Sequence, residues 1–413
     1  RPIPDEMLEK FPLLKKQIES SEVCEAVRVH FGGNYILPKP DCTDPTVYLG
    51  ERKGIFIRKD WLKKVGLEIP TTWDAFYEVC KAFTLNDPDG NGVNDTYGLT
   101  GDSIGNLRYF FSSLGHSNMN WVKQADGTWT HGALMEDNIQ LLELLRKMYA
   151  EGLIDPEIGS TKWEQAMQKF ASNTFGMVIR NADADWINNV LTKNYWEANK
   201  DKGNPYDIIG LIPALSIKKE DKPSMDAYID CMCATMVNAD LSDESLERYL
   251  EFHEWCMAGE GELMRLGFEN VDWKYDEAGK IVKLLDEKGN PINLAEKYPC
   301  IAVTYMPTWG FRLMADPNIQ TYDNFNDECK ALNAEACAVR NANIVKSDMR
   351  VKLISAQSML DANAFKFTVE YWNIVSGTEP VADMFHAMVD RAMQDGFAQA
   401  IEDVNAICKE KGW

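Results

Sequence analysis

The chain has 413 residues, of which 45% are hydrophobic, and its formal net charge is −21 at pH 7 with a pI near 4.7. This length exceeds what one hydrophobic core usually serves, so we expect two lobes. The acidity argues against nucleic acid as a partner, because neutralising phosphates requires clustered Lys and Arg. No apolar run reaches the roughly 18 residues of a membrane span, and residues 1–6 show no signal-peptide core.

Strand and helix patterns alternate along the chain, which is typical of an α/β protein. The first strand is predicted over 54–58 and leads into a helix over 59–65. Thr71 is predicted to cap the next helix, with Asp74 three residues later. Further helices are predicted over 137–151, 164–171, 383–395, 397–409 and from Ser242, strands over 175–179 and 231–237, and hairpin turns at 276–280 and 286–290.

Residues 86–98 set oxygen ligands at alternate positions around a turn. Asp87, Asp89, Asn91 and Asp95 stand at positions 1, 3, 5 and 9 of a calcium loop, and the carbonyl of Val93 stands at position 7. Calcium takes six or more oxygens at about 2.3–2.6 Å, and alternate residues of a tight turn point inward to supply them. The spacing therefore predicts bound Ca²⁺.

The end of this loop departs from an EF-hand. Position 12, where an EF-hand has a bidentate Glu, is Gly98, and Leu99 follows in place of an amphipathic exit helix. A regulatory switch is therefore not expected, and we predict a structural calcium ion. The alternative is a solvated turn, since Asp, Asn and Gly form turns without a metal.

Catalytic and transition-metal patterns are absent from the sequence. The ten cysteines form no C-x-x-C pair and the five histidines no H-x-x-x-H pair, so no zinc site is predicted. Most cysteines are expected to be small buried residues, and a disulfide such as Cys24 with Cys42 stays open. Walker A, G-x-S-x-G and dinucleotide signatures are missing, and we predict a protein without enzymatic activity.

Five motifs together resemble a known family. They are the residues 56–62, 66–72, 83–92, 150–156 and 267–273. In this order they resemble the lipoprotein branch of family 1 extracellular solute-binding proteins, which capture substrates for carbohydrate ABC transporters. The resemblance implies a periplasmic-binding-protein-like α/β fold of type II, with two lobes joined by hinge strands. It also implies an oligosaccharide held in the cleft between the lobes, hinge closure, and delivery to a permease.

The resemblance also predicts how the chain is divided. Residues 1–54 would be the remainder of an N-terminal lobe, 55–228 the C-terminal lobe with the calcium loop, 229–300 a second N-terminal segment, and 301–413 a return to the C-terminal lobe. The family's lipidated cysteine and first segment have no counterpart here, so the sequence either lacks its beginning or is a truncated form. We expect an extracellular, cell-surface lipoprotein, monomeric, that meets the membrane only through an anchor outside this chain.

Ligand contacts in the family follow strands, and two such places carry polar or aromatic side chains here. Asp102 and Asn106 are expected to bind sugar hydroxyls, with helix capping as the alternative. Trp309 and Trp372 are expected to stack on sugar rings. For Trp372, which lies in an amphipathic stretch, core packing is the alternative.

The segment 176–186 resembles the loop where sugar-binding relatives place cleft-facing aromatic residues. Arg180, Asn181 and Asp183 are expected to bind hydroxyls, while Trp186 stacks on a ring or packs under the loop as core. Two rival functions stay open. One is a polysaccharide-active hydrolase or lyase using a carboxylate pair, and the other is a binding protein for a peptide or another solute.

Overall fold

The computed structural model describes most of the chain and divides it into two compact units. The described residues are 1–39, 50–102, 106, 108–221, 223–227, 233–257, 266–277, 279, 281–287, 292, 294–299, 326–354 and 357–413. Unit 1 comprises Arg1–Tyr48 and Ile229–Asn326, and unit 2 comprises Leu49–Tyr228 and Asp327–Trp413.

Both units contain strands and helices, which alternate along much of unit 2. In order along the whole chain, the strands are β1 Leu37–Lys39, β2 Lys53–Arg58, β3 Tyr97–Thr100, β4 Trp121–Lys123, β5 Trp129–His131, β6 Phe175–Asn181, β7 Ile209–Ile212, β8 Met225–Asp226, β9 Cys233–Thr235, β10 Trp273–Tyr275, β11 Ile281–Lys283 and β12 Ile344–Val345. The α-helices are α1 Asp5–Leu8, α2 Pro12–Glu19, α3 Glu22–Phe31, α4 Lys59–Val65, α5 Trp73–Leu85, α6 Asn138–Ala150, α7 Trp163–Ala171, α8 Ala184–Asn188, α9 Trp196–Ala198, α10 Pro205–Ile208, α11 Asp243–Cys256, α12 Leu294–Lys297, α13 Asp327–Arg340, α14 Met349–Lys352, α15 Gln357–Ala362, α16 Phe367–Ser376, α17 Val381–Ala392 and α18 Ala398–Lys411. Short 3₁₀ turns lie at Arg108–Leu114, Gly132–Leu134 and Lys200–Lys202, and wider π-type turns at Asn189–Tyr195 and Met393–Phe397.

Unit 2 is built on a four-stranded sheet in the order β3-β6-β2-β7. β3 runs parallel to β6, whereas β2 is antiparallel to both β6 and β7. The central strands are apolar and buried on both faces, as expected where helices cover a sheet on either side. The close packing shows at Gly176, where an added Cβ would lie 2.1 Å from the ring of Phe83. Glycine is thus required at this position of β6.

Aromatic rings join the sheet of unit 2 to its helices. Trp61 of α4 meets Phe83 of α5 edge to face at 5.3 Å, and Trp73 meets Phe110 at 4.8 Å. The core continues into the C-terminal helices, where the hydroxyl of Tyr371 donates to the carbonyl of Ala133 at 3.0 Å. Burial raises the pKa of Tyr371.

Unit 1 pairs β1 with β9 in antiparallel register. The N-terminus of α2 is capped from α11, because both oxygens of Glu254 accept hydrogen bonds, from the N–H groups of Leu13 at 2.9 Å and Leu14 at 2.8 Å. A separate hairpin, β10 with β11, packs around Trp273 and the buried carboxylate of Asp272.

The predicted elements are found with shifted ends. The N-cap of α5 is Thr72, whose hydroxyl oxygen accepts from the N–H of Ala75 at 3.3 Å, so the prediction of Thr71 was wrong by one residue. The backbone of Thr71 instead receives the N–H of Ser216 at 2.9 Å, which holds this residue extended. Gly98 lies within strand β3, Tyr97–Thr100, so the 86–98 loop is followed by a strand and not by an exit helix.

The unit boundaries differ from the predicted ones in two places. The first lies at 48/49 and not at 54/55, because β2 belongs wholly to the sheet of unit 2. The third lies at 326/327 in place of 300/301, in a stretch largely outside the described residues. Cys24 is buried, and Cys42 lies outside the described residues, so their pairing stays a prediction. No described helix is long and apolar enough to cross a membrane.

Candidate functional site

The carboxyl ends of two parallel strands, β3 and β6, meet at one edge of the unit 2 sheet. Thr100 of β3 pairs with Val178 of β6, so two residues further along each strand Asp102 and Arg180 lie side by side. Helix α7 precedes β6 and runs back across the sheet, which brings its first residue, Trp163, to the same edge. Open α/β sheets bind their ligands at this edge.

Four side chains form what we call the Arg180 cluster: Asp102, Trp163, Arg180 and Trp186. Nη1 of Arg180 donates to Oδ2 of Asp102 at 2.5 Å. The guanidinium carbon lies 4.1 Å from the ring centre of Trp186 and 5.2 Å from that of Trp163. The two indole rings stand nearly perpendicular, at 84°, with 6.1 Å between their centres. Aromatic faces and charged groups thus share one small surface.

The ion pair in this cluster is largely shielded from solvent but keeps unused hydrogen-bonding capacity. The side chains of Arg180 and Asp102 are 13% and 15% exposed. A guanidinium has five N–H donors, and within the described part of the chain Arg180 uses one of them, on Asp102, while its buried Nε has no partner. Oδ1 of Asp102 accepts from Nδ2 of the buried Asn106. Asn106 therefore orients Asp102, which in turn orients Arg180.

Asp183 has a structural role beside this cluster. Its Oδ1 accepts from the N–H of Trp186 at 3.2 Å, which caps helix α8, and its Oδ2 accepts from Nη1 of Arg52 at 3.0 Å. Asp183 is only 6% exposed, and both oxygens are engaged within the protein. Asp183 thus positions Trp186, and a direct contact of Asp183 with a sugar hydroxyl stays a prediction.

Asn181 lies on the other face of β6 from Arg180, because successive residues of a strand point to opposite faces. Its Oδ1 accepts from Nζ of Lys53 at 2.9 Å, across the β2–β6 pairing. The next residue, Ala182, is held from α13, where the buried guanidinium of Arg340 donates to its carbonyl at 2.8 Å. The end of β6 is therefore fixed from two sides.

The remaining predicted residues fall elsewhere. Trp372 lies on α16, half-buried, with its ring edge-on to Tyr149 at 5.1 Å, which is the core packing that the sequence left as the alternative. Trp309 lies outside the described residues. Sequence reasoning missed Trp163 and Arg52. The signal for Trp163 in the sequence is a tryptophan at the start of a helix that leads into β6. In the structure its side chain is 39% exposed.

The 86–98 loop brings its predicted ligands into mutual contact. Nδ2 of Asn91 donates to Oδ2 of Asp89 at 3.0 Å and to Oδ1 of Asp95 at 3.1 Å. Asp87 accepts the N–H groups of Gly90, Asn91 and Gly92 at 2.9–3.1 Å. Three positive φ angles make this tight turn, 44° at Asp87, 76° at Gly90 and 81° at Gly92.

The donor set of this loop is all oxygen, the kind that Ca²⁺ prefers. Hydrogen bonds lower the pKa of Asp87 below its usual value, and the bond from the N–H of Gly92 has the largest effect. The carboxylate of Asp87 therefore stays charged. In the structure the carboxylates accept N–H groups of the loop itself. Among the described residues, no group of three or more His, Cys, Asp or Glu is already arranged around a metal position. The residues fit a calcium ion by type and spacing, with the backbone oxygen of Val93 as a further ligand.

Solved structures share this fold over nearly the whole chain. The alginate-binding protein AlgQ2, in a structure without calcium ion, superposes with a TM-score of 0.69 at 18% identity, covering 98% of this chain and 81% of that one. The fructooligosaccharide-binding FusA of S. pneumoniae with kestose gives 0.61 at 17% identity, covering 99% and 84%. The chain therefore has the α/β fold of periplasmic-binding-protein-like solute-binding proteins, as predicted.

A family model matches part of the sequence. Residues 31–229, just under half of the chain, match the model of the bacterial extracellular solute-binding protein family. This match confirms the resemblance that the motifs indicated.

Curated relatives match over part of their length. Lipoprotein LipO of Bacillus subtilis (strain 168) is 33% identical over 171 residues, covering 38% of this chain and 32% of LipO. The polygalacturonan/rhamnogalacturonan-binding protein YtcQ of the same organism is 33% identical over 133 residues, covering 32% of this chain and 26% of YtcQ. The fructooligosaccharide ABC transporter substrate-binding protein FusA of Streptococcus pneumoniae is 27% identical over 195 residues, covering 45% and 34%. The chain thus aligns with about a third or less of each relative.

Proposed function

We propose that this protein is the substrate-capturing receptor of a carbohydrate ABC transporter, and that it binds an oligosaccharide at the Arg180 cluster. The observation that carries the proposal is the guanidinium of Arg180, which is paired with Asp102 at 2.5 Å and lies over the rings of Trp186 and Trp163. The proposed partners are the oligosaccharide and the transporter's permease.

The chemistry of the cluster matches a sugar. A pyranose or furanose ring has apolar C–H faces that pack on an indole, and hydroxyls that both donate and accept hydrogen bonds. Arg180 supplies donors and Asp102 supplies acceptor lone pairs, side by side and next to the indoles. Buried hydroxyls without partners cost about 1–3 kcal/mol each, so these groups would discriminate between sugars.

The comparisons support the substrate class. Two relatives are named for binding carbohydrates, polygalacturonan or rhamnogalacturonan in one case and fructooligosaccharide in the other. Another relative is named a lipoprotein, and the matching family is described as extracellular. These names favour a cell-surface lipoprotein that takes up sugar, with no catalytic role. The alternatives remain a hydrolase or lyase, and a binding protein for a peptide.

A calorimetric panel tests the proposal. The chain is titrated with neutral oligosaccharides of two to five residues, with oligogalacturonates, and with peptides of similar mass, and the sugars are then analysed by chromatography. We expect one-site binding of an oligosaccharide, a raised Tm and recovery of the sugar uncleaved. Binding of a peptide alone, or cleavage of the sugar, would overturn the proposal in favour of one of the alternatives.

We further propose that the 86–98 loop binds Ca²⁺ as a structural ion, through Asp87, Asp89, Asn91, the carbonyl of Val93 and Asp95. The all-oxygen donor set and its alternate spacing support this. Among the structures that share the fold, one is described as lacking calcium ion and another as an EF-hand mutant. When bound, the ion would pin the turn that joins α5 to β3, and it would not contact the sugar.

A further inference from the structure

We propose that the Arg180 cluster selects uncharged oligosaccharides over uronates of the same length, and that Asp102 is the residue that determines this specificity. The inference rests on the proposed function, since it concerns the same site. It follows from how the two arginines at the carboxyl edge of the unit 2 sheet, Arg52 and Arg180, are already paired with carboxylates.

The charge of Arg180 is neutralised within the protein. Its guanidinium is 2.5 Å from the carboxylate of Asp102, and both side chains are about seven-eighths buried. A ligand carboxylate that approached the guanidinium would also approach Asp102, and like charges repel most strongly where water is excluded. The pair therefore offers an anion little net attraction.

The second arginine at this edge is paired in the same way. Arg52 donates to Asp183 at 3.0 Å, and the two side chains are 15% and 8% exposed. The nearby lysine, Lys53, donates to Asn181, which points to the face of β6 opposite to Arg180. Among the described residues, the guanidinium groups at this edge thus each carry a carboxylate partner.

The hydrogen-bonding pattern points the same way. A sugar hydroxyl donates one hydrogen bond and accepts others, so neighbouring hydroxyls can bridge the unused N–H groups of Arg180 and the lone pairs of Asp102. A carboxylate only accepts, so it offers no donor to the remaining lone pairs of Asp102. The ion pair is therefore complementary to a diol and poorly complementary to a uronate.

The test compares Asp102→Asn with the wild type. Both are titrated with neutral tri- and tetrasaccharides and with tri- and tetragalacturonate at about 0.15 M salt. We expect the wild type to bind one of the neutral sugars at least about tenfold more tightly than the galacturonates. In Asp102→Asn the freed guanidinium should reduce that preference about tenfold or more, while Asp102→Glu, which keeps the charge, should preserve it.

The matched control is Asp348→Asn. Asp348 also pairs with an arginine, Arg350 at 2.6 Å, and Arg350 also lies over an indole, Trp413 at 5.0 Å. This control removes the same charge from the protein but leaves the Arg180 cluster unchanged. The preference for neutral sugars over galacturonates should therefore stay as in the wild type. If Asp102→Asn fails to fold, the salt dependence of galacturonate binding by the wild type decides. Because the guanidinium is neutralised, galacturonate affinity should not fall between about 0.05 and 0.5 M salt, and a steep fall would overturn the inference.

The outcomes separate this inference from the proposed function. Tighter binding of a galacturonate by the wild type would leave the proposed function standing and overturn the inference. An unchanged preference in a folded Asp102→Asn would overturn it too. Binding of no sugar at all would overturn both.

Discussion

Three residues at the carboxyl edge of the unit 2 sheet are joined by hydrogen bonds. Arg180 lies where a strand ends, Asp102 fixes its orientation, and Asn106 fixes Asp102 in turn. Sequence analysis predicts separate roles for these residues as hydroxyl ligands. The structure shows them as one connected group, in which a hydrogen-bond chain holds the guanidinium against two indoles. A change at any of them is therefore expected to act through Arg180.

Trp163→Ala should weaken oligosaccharide binding about tenfold, because it removes one aromatic face of the Arg180 cluster. Trp163 is 39% exposed, so the Tm should fall little. Trp255, 43% exposed on α11 of unit 1, gives the matched control Trp255→Ala, which should bind like the wild type. Calorimetry with the oligosaccharide found in the panel measures both. Equal affinities in the two variants would contradict a role for Trp163.

His131 makes a prediction about pH. Its ring stacks on Phe367 at 5.1 Å and meets Trp121 and Phe397, and its Nδ1 accepts the N–H of Ala133, so the neutral form is favoured. Burial lowers the pKa of His131 from 6.5 to about 4. Between these values the unfolded chain binds a proton that the folded chain does not, so the free energy of unfolding falls as pH falls from 6.5 to about 4.

The contribution of His131 is of the order of 2 kcal/mol, because the pKa difference between 6.5 and about 4 is discounted for the partial solvent exposure of the residue. His131→Gln should remove this part of the pH dependence, and urea unfolding at several pH values measures it. The exposed His386, paired with Glu136 at 2.8 Å, gives the control His386→Gln. A wild-type and a His131→Gln protein with the same slope between pH 6.5 and 4 would contradict the assignment.

For helices and strands, the sequence pattern predicted which elements form better than it predicted the residue at which each one begins. Helical spacing and capping gave the helices near 73–85, 138–150 and 243–256, since each has an apolar face with polar ends. The cap at Thr72 in place of Thr71 was not predictable, because it depends on the backbone pairing of Thr71 with Ser216, 145 residues away. The same holds for Asp183, whose capping of α8 and pairing with Arg52 require the fold of β2 against β6.

The calcium loop is the element with the most direct test. Adding Ca²⁺ should raise the Tm of the wild type, and a chelator should reverse the change, because an ion that binds only the folded loop stabilises it. Asp87→Asn should abolish the rise in Tm that Ca²⁺ causes. Asp126→Asn is the control, since Asp126 also accepts hydrogen bonds within its own turn, from Thr128. A Tm that is independent of calcium would refute the ion, and loss of sugar binding on chelation with an unchanged Tm would refute its structural role.

For the whole molecule, composition and motif order predicted the class of protein. The candidate site, the Arg180 cluster, is formed by contacts between segments that are distant in the sequence. The two compact units each combine segments far apart in the chain, which length alone indicated only as two lobes. Trp163 and Arg180 come together because α7 and β6 pack as neighbours, and the spacing of a single sequence does not show which of 12 tryptophans meets which arginine. The motifs indicated the family whose model residues 31–229 match, whereas the proposed choice of sugar would depend on packing.

Calorimetry on Arg180→Gln and its control Arg350→Gln is the most direct test of oligosaccharide capture at the Arg180 cluster, because it measures the affinity of each variant for the oligosaccharide. Arg350 has the same surroundings in kind, an aspartate at 2.6 Å and an indole at 5.0 Å, but lies at α14. We expect Arg180→Gln to lose at least about tenfold in affinity for the oligosaccharide, and Arg350→Gln to bind like the wild type. Full affinity in a folded Arg180→Gln would contradict capture at this cluster.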